Sequence, residues 1–127
     1  MELNEITGQI IGAAIEVHKT LGGPGLLEGV YEEALAWELE LRGLLVERQV
    51  HVPIRYKNKN LATPLRLDML LEKQVVVEVK ATTQYNSIFE AQTLTYLRLM
   101  DLRVGLVINF GERVVRRGIH RVANGIK

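Results

Sequence analysis

The sequence predicts an α/β fold: a mixed central sheet of about five strands, with two helices ahead of it and one crossover helix inside it. Three observations carry that expectation. Two segments at the front repeat apolar residues at helical spacing, the middle of the chain alternates with period two, and a short valine run leads through a third helical segment into another apolar run.

Ile6, Ile10, Ile11, Ala14, Val17 and Leu21 recur at spacings of three and four, so residues about 4 to 20 read as an amphipathic helix that ends at Gly22-Gly23-Pro24-Gly25. A second helix runs from about Leu27 to Arg42, rich in Leu, Glu and Ala, and stops at Gly43, a natural C′ residue. Val46, Arg48, Val50, Val52, Ile54 and Tyr56 then share one face of a strand, in which Pro53 marks an edge or irregular position. Lys57-Asn58-Lys59-Asn60 is a turn. In the second strand Leu65, Leu67, Met69 and Leu71 alternate with Arg66, Asp68, Leu70 and Glu72. Gln74 to Ala81 is apolar on both faces, the mark of a strand in mid-sheet. The third helix, about Ile88 to Met100, carries Ile88, Ala91, Leu94, Thr95 and Leu99 on its inner side, and Asp101 closes it. Val104 to Phe110 is the next strand, Gly111-Glu112 a tight turn, and Val114 to Val122 a last strand hairpinned to it.

At 127 residues and 47% hydrophobic composition this is one domain, 1–127, with no repeat and no linker. No apolar stretch approaches the roughly 20 residues that span a bilayer, and Met1 to Glu5 carries no basic cluster, so a soluble cytoplasmic protein without a leader or membrane partner is expected. The absence of cysteine excludes disulfides, thiolate metal sites and a Cys nucleophile. The net charge of +1 hides a gradient: residues 1 to 47 hold nine acids and two bases, 48 to 97 seven bases and four acids, 98 to 127 seven bases and two acids. A basic half suits phosphate, or is simply the wet face of its strands.

The chemistry concentrates around Lys73. If the second and third strands pair symmetrically about that residue, Asp68 faces Glu78 on one side of the sheet, with Lys80 further along it, whereas a slip of one residue would separate them. Opposed, half-buried carboxylates repel and pay desolvation. A divalent cation removes both penalties, and carboxylate oxygens are what Mg²⁺ and Mn²⁺ prefer. The alternative is a surface pair, Glu78 and Lys80, beside an ordinary strand aspartate.

Asp68 followed by Glu78-Val79-Lys80 resembles the Asp…(Asp/Glu)-X-Lys signature of the PD-(D/E)XK nuclease superfamily, with Leu67 where the name has Pro. Gly25-Leu26-Leu27-Glu28-Gly29-Val30-Tyr31 fits G-x-x-E-x-x-Y, the pattern of the GxxExxY family within it. Val17-His18, Leu39 to Gly43, Gln92 to Leu97 and Ile108-Asn109-Phe110-Gly111 agree in order, with a doubled Gly22-Gly23 as the one departure. The resemblance implies a restriction-endonuclease-like core and metal-dependent hydrolysis of phosphodiester bonds in nucleic acid, DNA more than RNA. It implies Asp68, Glu78, Glu28 and His18 as ligands of Mg²⁺ or Mn²⁺, Lys80 as the residue that orients water or offsets charge, and Gln92 and Tyr96, as in RecB-like nucleases, beside the active site. Tyr31 reads as a core residue whose hydroxyl bonds a site carboxylate, and Glu32 and Glu33 as solvent-facing. Arg113, Arg116, Arg117 and Arg121 are candidates for backbone contacts that do not read sequence. No helix-turn-helix, zinc finger, P-loop or stacking aromatic array is visible among only seven aromatic residues. A homodimer is an open expectation, and a catalytically silent binding module is the rival reading.

Overall fold

The structure, a computed structural model, describes residues 1–125; the last two positions of the expected domain lie outside them. Its elements are α1 (Leu3–Thr20), α2 (Glu28–Leu41), β1 (Val46–Val52), β2 (Arg55–Tyr56), β3 (Lys59–Asn60), β4 (Leu65–Leu71), β5 (Val75–Lys80), α3 (Ile88–Met100), β6 (Val104–Asn109) and β7 (Ile119–Ala123). Five strands form one mixed sheet in the order β1-β4-β5-β6-β7, parallel only between β5 and β6, which α3 connects. The fold class matches the expectation. Among the described residues no helix is long and apolar enough to cross a membrane.

The sheet lies between two layers. Ile6, Ile10, Tyr31, Leu35 and Leu39 of α1 and α2 bury against Met69, Leu71, Val77, Val79 and Ile108. On the opposite face Leu97 of α3 packs with Leu67, Val76, Val107 and Val122. Each such large side chain contributes about 1.5–3 kcal/mol relative to exposure.

Three local expectations need correction. The first strand does not run through to Tyr56: it ends before Pro53, and β2 and β3 form a separate hairpin around Lys57 and Asn58, both at positive φ. A proline cannot donate to the ladder, so the break falls there. The last strand does not start at Val114: Val115–Gly118 is a 3₁₀ turn, and β7 begins at Ile119. Gly118 allows it, because a Cβ there would lie 2.3 Å from the Asn109 carbonyl oxygen.

In α3 the inner face is Phe89, Thr93, Leu94, Tyr96, Leu97 and Met100, so Leu94 packs as expected, while Ile88, Ala91, Thr95 and Leu99 are exposed. Thr93 is the reason. Its hydroxyl donates to the Phe89 carbonyl at 2.8 Å, and its methyl occupies the space that Gly105 leaves open, so a polar residue is buried without cost. The inner face is therefore centred on Thr93 and Leu97, which leaves Ile88 and Leu99 outside it.

A larger departure concerns β4. Leu65 and Leu67 pack on the α3 side, but Met69 and Leu71 pack on the α1–α2 side. Residues two apart on a regular strand share a face, so β4 reverses its facing at Asp68. Its partner does the same: Val46 leans to the α1–α2 side and Val50 and Val52 to the α3 side, with Gln49 between them at φ 51°. Gln49 and Asp68 form no rung of the ladder, although pairing resumes in the same register on either side.

Candidate active site

The β4–β5 register is symmetric about Lys73, with Met69 opposite Val77 and Leu71 opposite Val75. Glu72 and Lys73 make the connecting turn at positive φ. The ladder stops at Met69, and side chains take over. The Asp68 N–H donates to Glu78 Oε2 at 3.0 Å, and the Val79 N–H donates to Asp68 Oδ2 at 2.8 Å. Each carboxylate thus satisfies a backbone donor on the other strand, in the gap that the reversal of β4 opens. Glu78 is 5% exposed and Asp68 half-buried.

Burial is the first cause of their altered acidity. It pushes Glu78 up to about 8, the Asp68 charge adds to the rise, and the Asp68 N–H and Lys80 oppose it. Asp68 is also raised, by burial first, against the Val79 N–H bond. One oxygen of each carboxyl is committed to an N–H, which leaves Asp68 Oδ1 and Glu78 Oε1 as donors. Among the described residues no fully buried side-chain oxygen or nitrogen lacks a partner, so these two oxygens are within reach of water.

Lys80, two residues past Glu78, places its Nζ 4.5 Å from the centroid of the Phe89 ring. Its strand end is clamped. The Phe110 N–H donates to the Lys80 carbonyl at 2.8 Å, and Asn109 grips Thr82 from both sides, accepting its N–H at 2.9 Å and donating to its carbonyl at 3.0 Å. Gly111 is required at this closure: a Cβ would come within 2.2 Å of the Thr82 oxygen. The Ile108–Gly111 stretch is therefore the fastening of the Glu78–Lys80 strand.

The G-x-x-E-x-x-Y segment has an equally local logic. Tyr31 is fully buried and stacks on Phe110 at 4.7 Å, and its hydroxyl donates to the Gly23 carbonyl at 2.6 Å while accepting the Leu26 N–H at 3.1 Å. It bonds the glycine-rich loop, where Gly23 and Gly25 have positive φ, and not a site carboxylate as expected. Tyr31 thereby fixes the start of α2, where Glu28 sits. Glu28 is exposed, yet its carboxyl is raised by partial desolvation and by the Asp68 and Glu32 charges, against Lys80. It lies within the field of the Asp68–Glu78–Lys80 group.

Glu32 corrects another expectation. It is not solvent-facing but 5% exposed, held by the Gln49 amide at 2.7 Å and the Arg48 guanidinium at 3.4 Å. The sign in the sequence is its spacing: four residues beyond Glu28 it shares that helix face. Gln49, across from Asp68, was not singled out by pattern at all.

His18 stands apart. It is buried, its Nε2 lies 2.9 Å from the Glu112 carbonyl oxygen, and its ring is 6.2 Å from that of Phe110. Facing a carbonyl, Nε2 must donate, which leaves only Nδ1 with a lone pair for an ion. Among the described residues no three His, Asp or Glu side chains converge closely enough to hold an ion, so the expected four-residue set is not assembled here. The residues present still fit a hard divalent ion: two opposed carboxylates, each with a free oxygen and short of positive charge, match the one or two carboxylates on which Mg²⁺ usually sits.

On α3, Tyr96 has its hydroxyl raised by burial and by the Glu78 and Asp68 charges, which places it beside the pair, while Gln92 is exposed one turn earlier. Arg113 and Arg116 line, with Lys19 and His18, a cleft of about 210 Å³ at the end of α1. Arg117 is exposed on the 3₁₀ turn, and Arg121 is exposed on β7 opposite Leu106. The four arginines do not share one strand.

Comparison of the chain with curated proteins and with solved structures gives no match. A family model does match: that of the PD-(D/E)XK nuclease superfamily, over residues 4–122. That span takes in Glu28, Asp68, Glu78, Lys80, Gln92 and Tyr96 together with four strands of the sheet and all but the last residue of β7, and the chain belongs to the PD-(D/E)XK nuclease superfamily.

Proposed function

We propose that this protein is a Mg²⁺- or Mn²⁺-dependent nuclease of the cytoplasm that hydrolyses phosphodiester bonds in DNA, with Asp68, Glu78 and Lys80 at its centre. The observation that carries the reading is the exchange of backbone hydrogen bonds between Asp68 and Glu78 across β4 and β5, which holds two carboxylates side by side inside the sheet. DNA follows from the GxxExxY and RecB-like resemblance.

Asp68 and Glu78 would hold the ion, and Glu28, at the start of α2, would complete the donor set. Bound there, the ion supplies positive charge and Lewis acidity at the scissile phosphate. Lys80 orients the attacking water or offsets charge developing on the phosphate oxygens. Phe89 keeps the ammonium beside the carboxylates rather than in bulk water. Tyr96 and Gln92 position the nucleic acid on the α3 side. Arg113, Arg116, Arg117 and Arg121 take backbone phosphates, which adds affinity without sequence preference. His18 acts here through its bond to the Glu112 carbonyl, fastening the segment after β6 to α1.

The test is incubation with single-stranded, duplex, flap and junction DNA and the matching RNAs in Mn²⁺, comparing wild type with Lys80→Ala. Cleavage by wild type alone is expected. Identical products from both proteins would assign the activity to another site or to a contaminant. Calorimetry with Mn²⁺ for wild type and Asp68→Ala separates the silent-module alternative: a wild type that binds no metal, even with DNA present, ends the nuclease reading.

A further inference from the structure

The helix that carries Glu28 and Glu32 has a second face without a partner. Leu27, Val30, Ala34, Trp37 and Leu41 recur at alternating spacings of three and four, the a/d pattern of two heptads, on the side of α2 away from Tyr31, Leu35 and Leu39. Leu27, Trp37 and Leu41 are 80%, 60% and 62% exposed. Side chains of that size give a patch on the order of 400 Å², the scale at which a surface patch on a monomer is commonly functional. Two hollows share Ala34 and Trp37. One, about 180 Å³, lies toward the end of α1 with Val17 and Leu21; the other, about 290 Å³, lies beside Val30. A small residue beside a large one, with a hollow on either side, is what receives the knobs of an incoming helix.

The charge around the stripe selects the occupant. Glu16 and Glu38 line the first hollow and Glu33 the second, and among the described residues no Lys or Arg lines either. Glu38 shares its charge with Arg42 at 2.9 Å, but Glu33 and Glu40 make no salt bridge among the described residues. A second copy laid along the stripe would set Glu33 and Glu40 against their equivalents, which repels. An anionic lipid surface meets the same acids. We propose that the outer face of α2 docks a basic amphipathic helix of a partner protein, with apolar a and d residues in the two hollows and Lys or Arg along its flanks. Because the inner face of the same helix bears Glu28 and Glu32, docking would act on the candidate active site through one rigid element.

Trp37 is the only tryptophan, so its emission reads the event directly. The probe is a synthetic helix of about three heptads with Leu at a and d and Lys at e and g, beside a control with Glu at e and g. Expected are a blue shift of Trp37 emission and a micromolar Kd for the Lys peptide with none for the Glu peptide, and at least tenfold weaker binding by Val30→Lys/Leu41→Lys. The exposed charge swap Glu33→Lys/Glu40→Lys, which leaves the apolar contacts intact, should transfer the preference to the Glu peptide. The proposal is overturned by a blue shift on raising protein concentration alone, by one with anionic phosphatidylserine vesicles, by equal binding of both peptides, or by unchanged preference in the charge swap. None of these outcomes depends on nuclease activity.

Discussion

Glu32 and Glu78 are buried to the same degree, each 5% exposed, and they lead opposite lives. Glu32 meets a guanidinium and an amide, Arg48 and Gln49, drawn from β1. Glu78 meets another carboxylate and a strand N–H, and burial, with the Asp68 charge beside it, pushes its carboxyl up to about 8. Burial alone does not tell the two carboxylates apart. The difference is that the fold sets a guanidinium and an amide against Glu32 but a second carboxylate beside Glu78, which Lys80 and one N–H only partly offset.

The comparison can be broken first at the level of activity. Glu78→Ala should lower the cleavage rate by about a thousandfold or more, since a metal clamp is worth several kcal/mol of transition-state stabilisation. Glu32→Ala should keep most of the rate per folded molecule, measured under single-turnover conditions. Equal losses in the two variants would erase the distinction between them.

Stability should move in the opposite sense. Removing Glu32 strands Arg48 and Gln49, so Glu32→Ala is expected to lower unfolding stability by about 1–2 kcal/mol in urea titrations. Glu78→Gln should instead raise it by about 2 kcal/mol at alkaline pH without metal, because it removes a buried charge that Lys80 and the Asp68 N–H only partly compensate. The pH window follows from the direction of the shift. The folded value of Glu78 lies above its unfolded one, so the native state keeps a proton that the unfolded chain gives up. The resulting stability is complete below about 4.5 and is lost as pH rises through about 8. Melting curves of the metal-free protein should show that decline, and saturating Mg²⁺ should flatten it. A decline unchanged in Glu78→Gln would assign it to other groups.

The smallest effect concerns Lys80. Its contact with the Phe89 ring is of a kind worth ~0.5–1 kcal/mol, so Phe89→Leu should reduce kcat by roughly two- to fivefold. Phe89→Tyr should restore it. A loss that Tyr fails to rescue would point to packing on α3 instead.

Much of this was legible in the sequence because it is local. The turn at Glu72 and Lys73 sits midway between Asp68 and Glu78, and a short hairpin leaves little freedom of register. The order of helices and strands followed from period alone. The reversal of β4 at Asp68 did not, because both faces of the sheet are buried: Leu65, Leu67, Met69 and Leu71 read as one face whether or not the strand turns over between them. Glu32 was misread for a related reason. A glutamate on a helix is assigned to water unless its neutralising partners are known, and those lie sixteen and seventeen residues away on another element. Thr93 hid the phase of α3 by satisfying its hydroxyl within its own helix.

Asn109 offers a last consequence. Strand ends are where sheets ordinarily fray, and Lys80 is the final residue of β5. By holding both polar groups of the Thr82 backbone, Asn109 turns that end into a fixed point. The backbone of Lys80 is thereby anchored from β6, and the 83–87 stretch acts on the lysine only through its tip, where Tyr85 packs edge-on against the Phe89 ring.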